Sequence, residues 1–269
     1  MQNPYTWARR VARRIARRLY VRLYGQPERL RIEAESYRKS FKERVRSECE
    51  SKVATGLFKG LTFSEAHSWG NDLGAMLLGS YEKEVLAKLN STQLKDYAAI
   101  VDVGCADGFY AIGLARICPN AKMFAYDLSA RARQVTTENA RLNDVLDRIE
   151  VREFCDPVEL QNLSNSIKGK ILVIVDIEGA ETDLICASSL PALESADLLV
   201  ECHDRVSGDH YRDLENLLKQ THSIERILRE GRNPNDYPSL EKMPDLEFVT
   251  GLCEMRSRSS SWLWAKANS

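Results

Sequence analysis

Residues 101–108 read Val-Asp-Val-Gly-Cys-Ala-Asp-Gly, and this octapeptide restricts the fold more than any other stretch of the chain. The apolar run from Tyr97 to Val103 ends there in a turn of small residues, and a helical pattern follows from Phe109 to Cys118. A buried strand, a tight turn and a helix form the unit with which open α/β sheets present backbone N–H groups to a nucleotide-like ligand. A dinucleotide fingerprint has the spacing Gly-x-Gly-x-x-Gly. Here the spacing is Asp102-x-Gly104-x-Ala106-x-Gly108, with Cys105 inside the turn. The small residues let the backbone approach a ligand closely.

The alternation continues downstream. Strands are expected at Met123–Asp127, Arg148–Phe154, Ile171–Asp176, Ala196–Cys202, His222–Leu228 and Ser260–Ala267. Helical patterns fall between them at Ala130–Leu142, Gly179–Ser188 and Tyr211–Lys219. This order predicts an α/β fold, a doubly wound, mostly parallel, Rossmann-like sheet of seven strands. A length of 269 residues suits one such domain with an N-terminal helical extension. We divide the chain into a helical arm (1–55), a helical cover over the ligand end of the sheet (56–95) and the α/β domain (96–269). Within the cover, Ser80 is placed to cap a helix running to about Asn90.

The net charge of −1 conceals a strong asymmetry. Residues 1–60 carry 16 basic and 6 acidic side chains, whereas residues 61–269 carry 22 and 33. In residues 7–24 an apolar stripe (Ala8, Val11, Ile15, Leu19, Leu23) runs at helical spacing beside Arg9, Arg10, Arg13, Arg14, Arg17 and Arg18. A cationic amphipathic helix suits an anionic membrane surface. It also suits packing on the body or on a twin subunit, and, less favoured, phosphate-rich nucleic acid. Such an arm resembles an organelle transit peptide as well. The seven cysteines include no Cys-x-x-Cys pair and read as thiols of a reducing compartment. No apolar stretch is long enough to cross a bilayer. The expectation is a cytoplasmic protein, peripheral on the inner face of a membrane.

Ligands of such sheets lie beyond the carboxyl ends of the strands. Asp127, with Leu128 beside it, ends the second strand and can accept hydrogen bonds from ribose hydroxyls; it also precedes a helix and could cap it. Asp156 follows the third strand and could bind an adenine amino group or cap the next helix. Two polar clusters close the next strands: Asp176-Ile-Glu178-Gly-Ala-Glu181 and Glu201-Cys-His203-Asp204. Adjacent parallel strands would bring them together. Bunched carboxylates with one imidazole suit proton removal from a hydroxyl, with Asp176, Glu178, Glu201 and His203 as the catalytic group. The same four side chains would equally suit a Mg²⁺ or Mn²⁺ ion. Helix N-terminal charge compensation accounts equally for Glu178 and Glu181.

The Asp102–Gly108 turn resembles the first motif of class I S-adenosylmethionine-dependent methyltransferases. Together with Asp127, Val175-Asp-Ile-Glu-Gly-Ala-Glu181 and Val200-Glu-Cys-His203, it resembles the FkbM-type branch over roughly residues 97–205. That resemblance implies S-adenosylmethionine held by Asp102, Gly104, Cys105, Ala106, Gly108, Asp127, Leu128 and Asp156. It also implies methylation of a hydroxyl oxygen on a small molecule or glycan. Asn233-Pro-Asn-Asp-Tyr-Pro238 resembles the Asn/Asp-Pro-Pro-Tyr motif of amino-methylating enzymes, but that motif belongs where this chain has Asp176-Ile-Glu178-Gly. A turn-rich loop is expected there instead.

Overall fold

A computed structural model describes residues 26–64, 72–203, 209–237, 243–252 and 261–268. The arginine-rich segment 7–24 lies outside them, as does Asp204. The N-terminal helices are α1 (Gln26–Glu48), α2 (Leu73–Leu78) and α3 (Lys83–Asn90). Then β1 (Tyr97–Val103), β2 (Lys122–Tyr126), β3 (Ile149–Arg152), β4 (Lys170–Val175), β5 (Ala196–Cys202), β6 (His222–Ile227) and β7 (Ser261–Ala267) form one sheet. Between them run α4 (Phe109–Ile117), α5 (Ala130–Leu142), α6 (Pro157–Ser166), the one-turn helices α7 (Glu181–Leu184) and α8 (Leu190–Leu193), α9 (His210–Leu218) and α10 (Asp245–Leu252).

The strand order is β3-β2-β1-β4-β5-β7-β6, with β7 antiparallel to both neighbours and the other adjacent pairs parallel. The order reverses between β1 and β4, so a crevice opens above their carboxyl ends. The central strands are buried throughout: β5 has no exposed residue, and β4 has only Lys170 partly open. Such continuous apolar runs are what a sheet covered on both faces demands. At the opposite end, the buried Asp197 carboxylate accepts from Tyr97 Oη at 2.5 Å, Lys170 Nζ at 2.7 Å and the Ala267 N–H at 3.0 Å. One side chain therefore ties β1, β4, β5 and β7 together.

Local sequence explains the starts of three helices. Ser129 Oγ accepts the Ala132 N–H, Asp156 Oδ1 accepts the Glu159 N–H ahead of Pro157, and Asp209 Oδ1 accepts the Arg212 N–H. Each satisfies a donor that the first helical turn leaves open. Two expectations are corrected. The Gly179–Ser188 helix shrinks to α7, because the buried Ser189 hydroxyl donates to the Leu184 carbonyl at 2.7 Å and accepts the Cys186 N–H at 3.0 Å. That local bonding competes with the helical ladder. Ser80 does not cap α3, whose N-cap is Glu82; its Oγ bonds back to the Ala75 carbonyl at the end of α2.

The segment between α1 and β1 packs on the sheet through α4. Phe58 sits against Gly113, where any side chain would collide with its ring, and meets Phe109 edge-on at 5.0 Å. Phe63, Tyr81 and Tyr110 pack around Phe109, and Trp262 packs on Tyr110, completing an aromatic cluster. Most of α1 is exposed or half-buried, but Phe41 and Val45, one turn apart, are buried. Phe41 fits between α2 and α10 because positions 74 and 251 are glycine.

Candidate active site

The Gly104–Gly108 turn leaves β1 with the geometry its small residues allow. Gly104 adopts φ +90°, and a Cβ there would stand 1.7 Å from the Asp176 carbonyl oxygen. Only glycine lets the ends of β1 and β4 approach this closely. Gly108, at φ +81°, starts α4. Ala106 (φ +46°) and Glu178 (φ +55°) are non-glycine residues in the left-handed region, one on each of the two loops. Such conformations persist where the surroundings hold them, and they concentrate at functional sites.

A cavity of about 600 Å³ opens between these loops. Its walls include Gly104, Ala106, Asp127, Leu128, Asp156 and Asp176. Asp127 Oδ2 accepts the Ala106 N–H at 3.0 Å, and its Oδ1 accepts the Ser129 N–H at 2.8 Å. The carboxylate thereby ties the glycine turn to the end of β2. Arg133 holds the same loop from behind, donating to the carbonyls of Asp127 at 2.8 Å and Leu128 at 3.0 Å. Leu128 and Phe154 stand largely exposed on the rim, an apolar pair able to flank a planar ring. Asp156 lines the cavity while capping α6, so both of its sequence readings are compatible with its position.

Three expected cofactor residues stand behind the cavity. Asp102 is buried and accepts the Ala111 N–H at 2.9 Å, bracing the first turn of α4. Burial pushes its carboxyl up to about 7; the Ala111 N–H opposes the shift and the charge of Asp127 adds to it. Cys105 is buried against Thr136 Oγ1 at 3.6 Å, and burial holds its thiol neutral. Gly108 is buried beneath Ile112 and Thr136. These residues shape the turn; none of the three borders the cavity among the described residues.

The two acidic clusters do meet. His203 Nε2 lies 3.5 Å from Glu178 Oε2, 3.7 Å from Glu201 Oε2 and 3.8 Å from Asp176 Oδ1. Asp176 and Glu178 also line the cavity, so they stand between His203 and the cofactor space. On the other side of the ring, His203 Nδ1 lies 2.8 Å from Glu181 Oε1. Burial alone would lower the imidazole pKa, but the Glu181 bond and the charges of Glu201, Glu181 and Glu178 raise it overall. Burial likewise works against ionised Glu181, and the bonds from His203 and the Gly179 N–H outweigh it, lowering its pKa. His210, 3.2 Å from Glu181 Oε2, was missed by sequence reasoning; it sits at the start of α9 with no motif around it. The described part of the turn-rich loop, Asn233–Tyr237, is removed from this chemistry: Asp236 pairs with Lys83 at 2.8 Å, and Tyr237 packs on Phe248; Pro238 lies outside the described residues.

Residues 83–176 match the family model for ribosomal protein L11 methyltransferase (PrmA). A release factor glutamine methyltransferase of Synechocystis sp. is 35% identical over 71 residues, 26% of this chain and 24% of that enzyme. The chain thus matches about a quarter of the length of that relative. Among solved structures, the O-methyltransferase TomG of Streptomyces achromogenes, involved in tomaymycin synthesis and solved with S-adenosylmethionine, aligns with TM-score 0.48 and 14% identity, covering 69% of this chain and 78% of that one. Precorrin-6y C5,15-methyltransferase of Geobacter metallireducens aligns with TM-score 0.45 and 14% identity, covering 70% and 90%. With its strand order, its antiparallel β7 and the matched segment around the glycine turn, the chain has the class I S-adenosylmethionine-dependent methyltransferase fold.

Proposed function

We propose that this protein transfers a methyl group from S-adenosylmethionine to a hydroxyl oxygen of a sugar, glycolipid or natural product, in the manner of FkbM-type enzymes. The observation that carries the reading is His203, set among Asp176, Glu178 and Glu201 beside the cavity. The cavity fits the cofactor: Gly104 and Ala106 supply close backbone, Asp127 a carboxylate for the ribose, and Leu128, Phe154 and Asp156 an adenine site. S-adenosylmethionine, when bound, supplies an electrophilic methyl group. The protein aligns the acceptor hydroxyl with that methyl, and His203 takes its proton as the oxygen attacks. Asp176 and Glu178 hold the acceptor's remaining hydroxyls at the shared wall.

The relatives' names point to protein substrates, a ribosomal protein and a release-factor glutamine. Oxygen transfer is favoured here because β4 runs into Asp176-Ile-Glu178-Gly, a set suited to proton removal. Incubation with labelled S-adenosylmethionine and cell extract, followed by mass spectrometry of the labelled product, identifies the acceptor. His203→Ala should abolish labelling while calorimetry shows unchanged cofactor affinity; retained labelling removes His203 from the mechanism.

The cluster also fits a divalent cation, since donor atoms of Asp176, Glu178 and His203 lie within 4.8 Å of one another. Mg²⁺ or Mn²⁺ there would polarise the acceptor hydroxyl. Activity that survives chelation rules this second reading out. For the arm, we propose that residues 7–24 hold the enzyme on anionic lipid, where a lipid-linked acceptor is presented. Among the described residues, no helix is long and apolar enough to cross a membrane. Flotation with anionic vesicles should require residues 1–26, and an RNA gel shift that also required them would favour the nucleic-acid alternative.

A further inference from the structure

We infer that Glu181 is a positioning residue that fixes the tautomer and orientation of His203, and that His210 is the second anchor that keeps Glu181 in place. The inference rests on the methyltransferase reading above and assigns a role to two side chains outside the proton-taking group.

Glu181 is fully buried, with 0% of its surface exposed, on the one-turn helix α7. Its carboxylate lies against three nitrogens: the Gly179 N–H at 2.9 Å and His203 Nδ1 at 2.8 Å on Oε1, and His210 Nδ1 at 3.2 Å on Oε2. An ionised carboxylate can only accept. Both imidazoles must therefore carry their proton on Nδ1 and donate it inward. Neutral His203 is left with its lone pair on Nε2, the nitrogen that faces Asp176, Glu178 and Glu201. The base thus has one proton-accepting atom, aimed at the acceptor side by a charge that water does not reach.

Helix-terminal charge compensation accounts poorly for this side chain. Such a carboxylate works from the surface against the helix ends, whereas Glu181 spends both oxygens on two imidazoles from other elements. His210 is itself buried at the start of α9. It links α9 to α7 through Glu181, so the carboxylate cannot rotate away from His203 without losing a bond. Removing the charge has a defined effect. A glutamine at 181 offers one oxygen and one NH₂, so one of the two histidines must move its proton to Nε2. When His203 is that one, its lone pair turns inward and the outward nitrogen can no longer take a proton.

The test uses full-length protein labelled with ¹⁵N-histidine and long-range ¹H–¹⁵N spectra. In the wild type, neutral His203 should show a protonated-type Nδ1 and a bare-type Nε2; the opposite tautomer overturns the inference without any variant. Glu181→Gln and Glu181→Ala should lose that single-tautomer signature. Their turnover of labelled S-adenosylmethionine with extract should fall ~10²-fold or more with KM unchanged. Glu181→Asp should restore part of both. His210→Ala should keep the His203 tautomer but lower turnover less. Calorimetry with S-adenosylmethionine should give wild-type affinity in every variant. If His203→Ala keeps turnover, the base role falls. If His203→Ala is inactive but Glu181→Gln keeps both the tautomer and turnover, this inference alone falls.

Discussion

Replacing Gly104 by alanine tests the proposed cofactor site at its narrowest point. Two costs are readable. At φ +90° a Cβ costs about 1–2 kcal/mol in backbone strain. It would also lie 1.7 Å from the Asp176 carbonyl oxygen, and ordinary contact begins at 3.4 Å, so that separation must double. Opening the gap stretches the bond from the Asp176 N–H to the Val103 carbonyl, 2.9 Å long, worth about 1 kcal/mol. The sum, roughly 2–3 kcal/mol, should lower the melting temperature by about 4–12 °C. Because Asp176 and Gly104 both line the cavity, calorimetry well below the melting point should also show S-adenosylmethionine binding weakened about 100-fold. Gly169→Ala is the control. It has φ +126° and would bring a Cβ 2.8 Å from Ala98, at the far end of β4 from the cavity. It should lower the melting temperature while leaving affinity unchanged. Wild-type affinity in Gly104→Ala, or equal losses in both variants, would refute the placement of the cofactor above this turn.

Three other outcomes follow from contacts described above. Asp127→Ala removes the acceptor of the Ala106 and Ser129 N–H groups and the proposed ribose partner, so calorimetry should show affinity falling about 10²-fold while the melting temperature drops only slightly. Asp102→Asn should flatten the pH dependence of stability. The folded carboxyl is pushed up to about 7 from 3.8, so its contribution is full at low pH, is lost as pH rises towards 7, and stays lost above it. That span is on the order of 4 kcal/mol, and denaturant titrations from pH 4 to 8 with parallel curves for both proteins would contradict it. Phe58→Ala should cost about 3–5 kcal/mol by emptying the space over Gly113, read as a lower urea midpoint.

Much of the fold was legible in the sequence because its signals are local and periodic. The β1 and β5 limits coincide with the apolar runs that predicted them, and the α5 limits with the helical pattern at Ala130–Leu142. Asp127 could be placed because a strand end and a glycine turn fix where it must lie. Legibility stopped where side chains bond outside that periodicity. Ser189 truncates α7 through hydrogen bonds that no apolar pattern records. Asp102 sits inside the motif, yet its strand position turns it under α4 instead of toward the cavity. His210 reaches Glu181 only because β5 and α9 fold over α7, a juxtaposition set by topology and not by spacing.

The seat of Phe41 bears on how the chain folds. Helix α1 contributes this ring near the start of the chain, and the glycine that admits it on α10 lies near the end. During synthesis, α1 therefore leaves the ribosome long before half of its binding surface exists. Pairings between distant parts of a chain close slowly, and apolar side chains left waiting for them invite misassembly. The first helix of the described structure should be among the last to gain protection from hydrogen exchange on refolding.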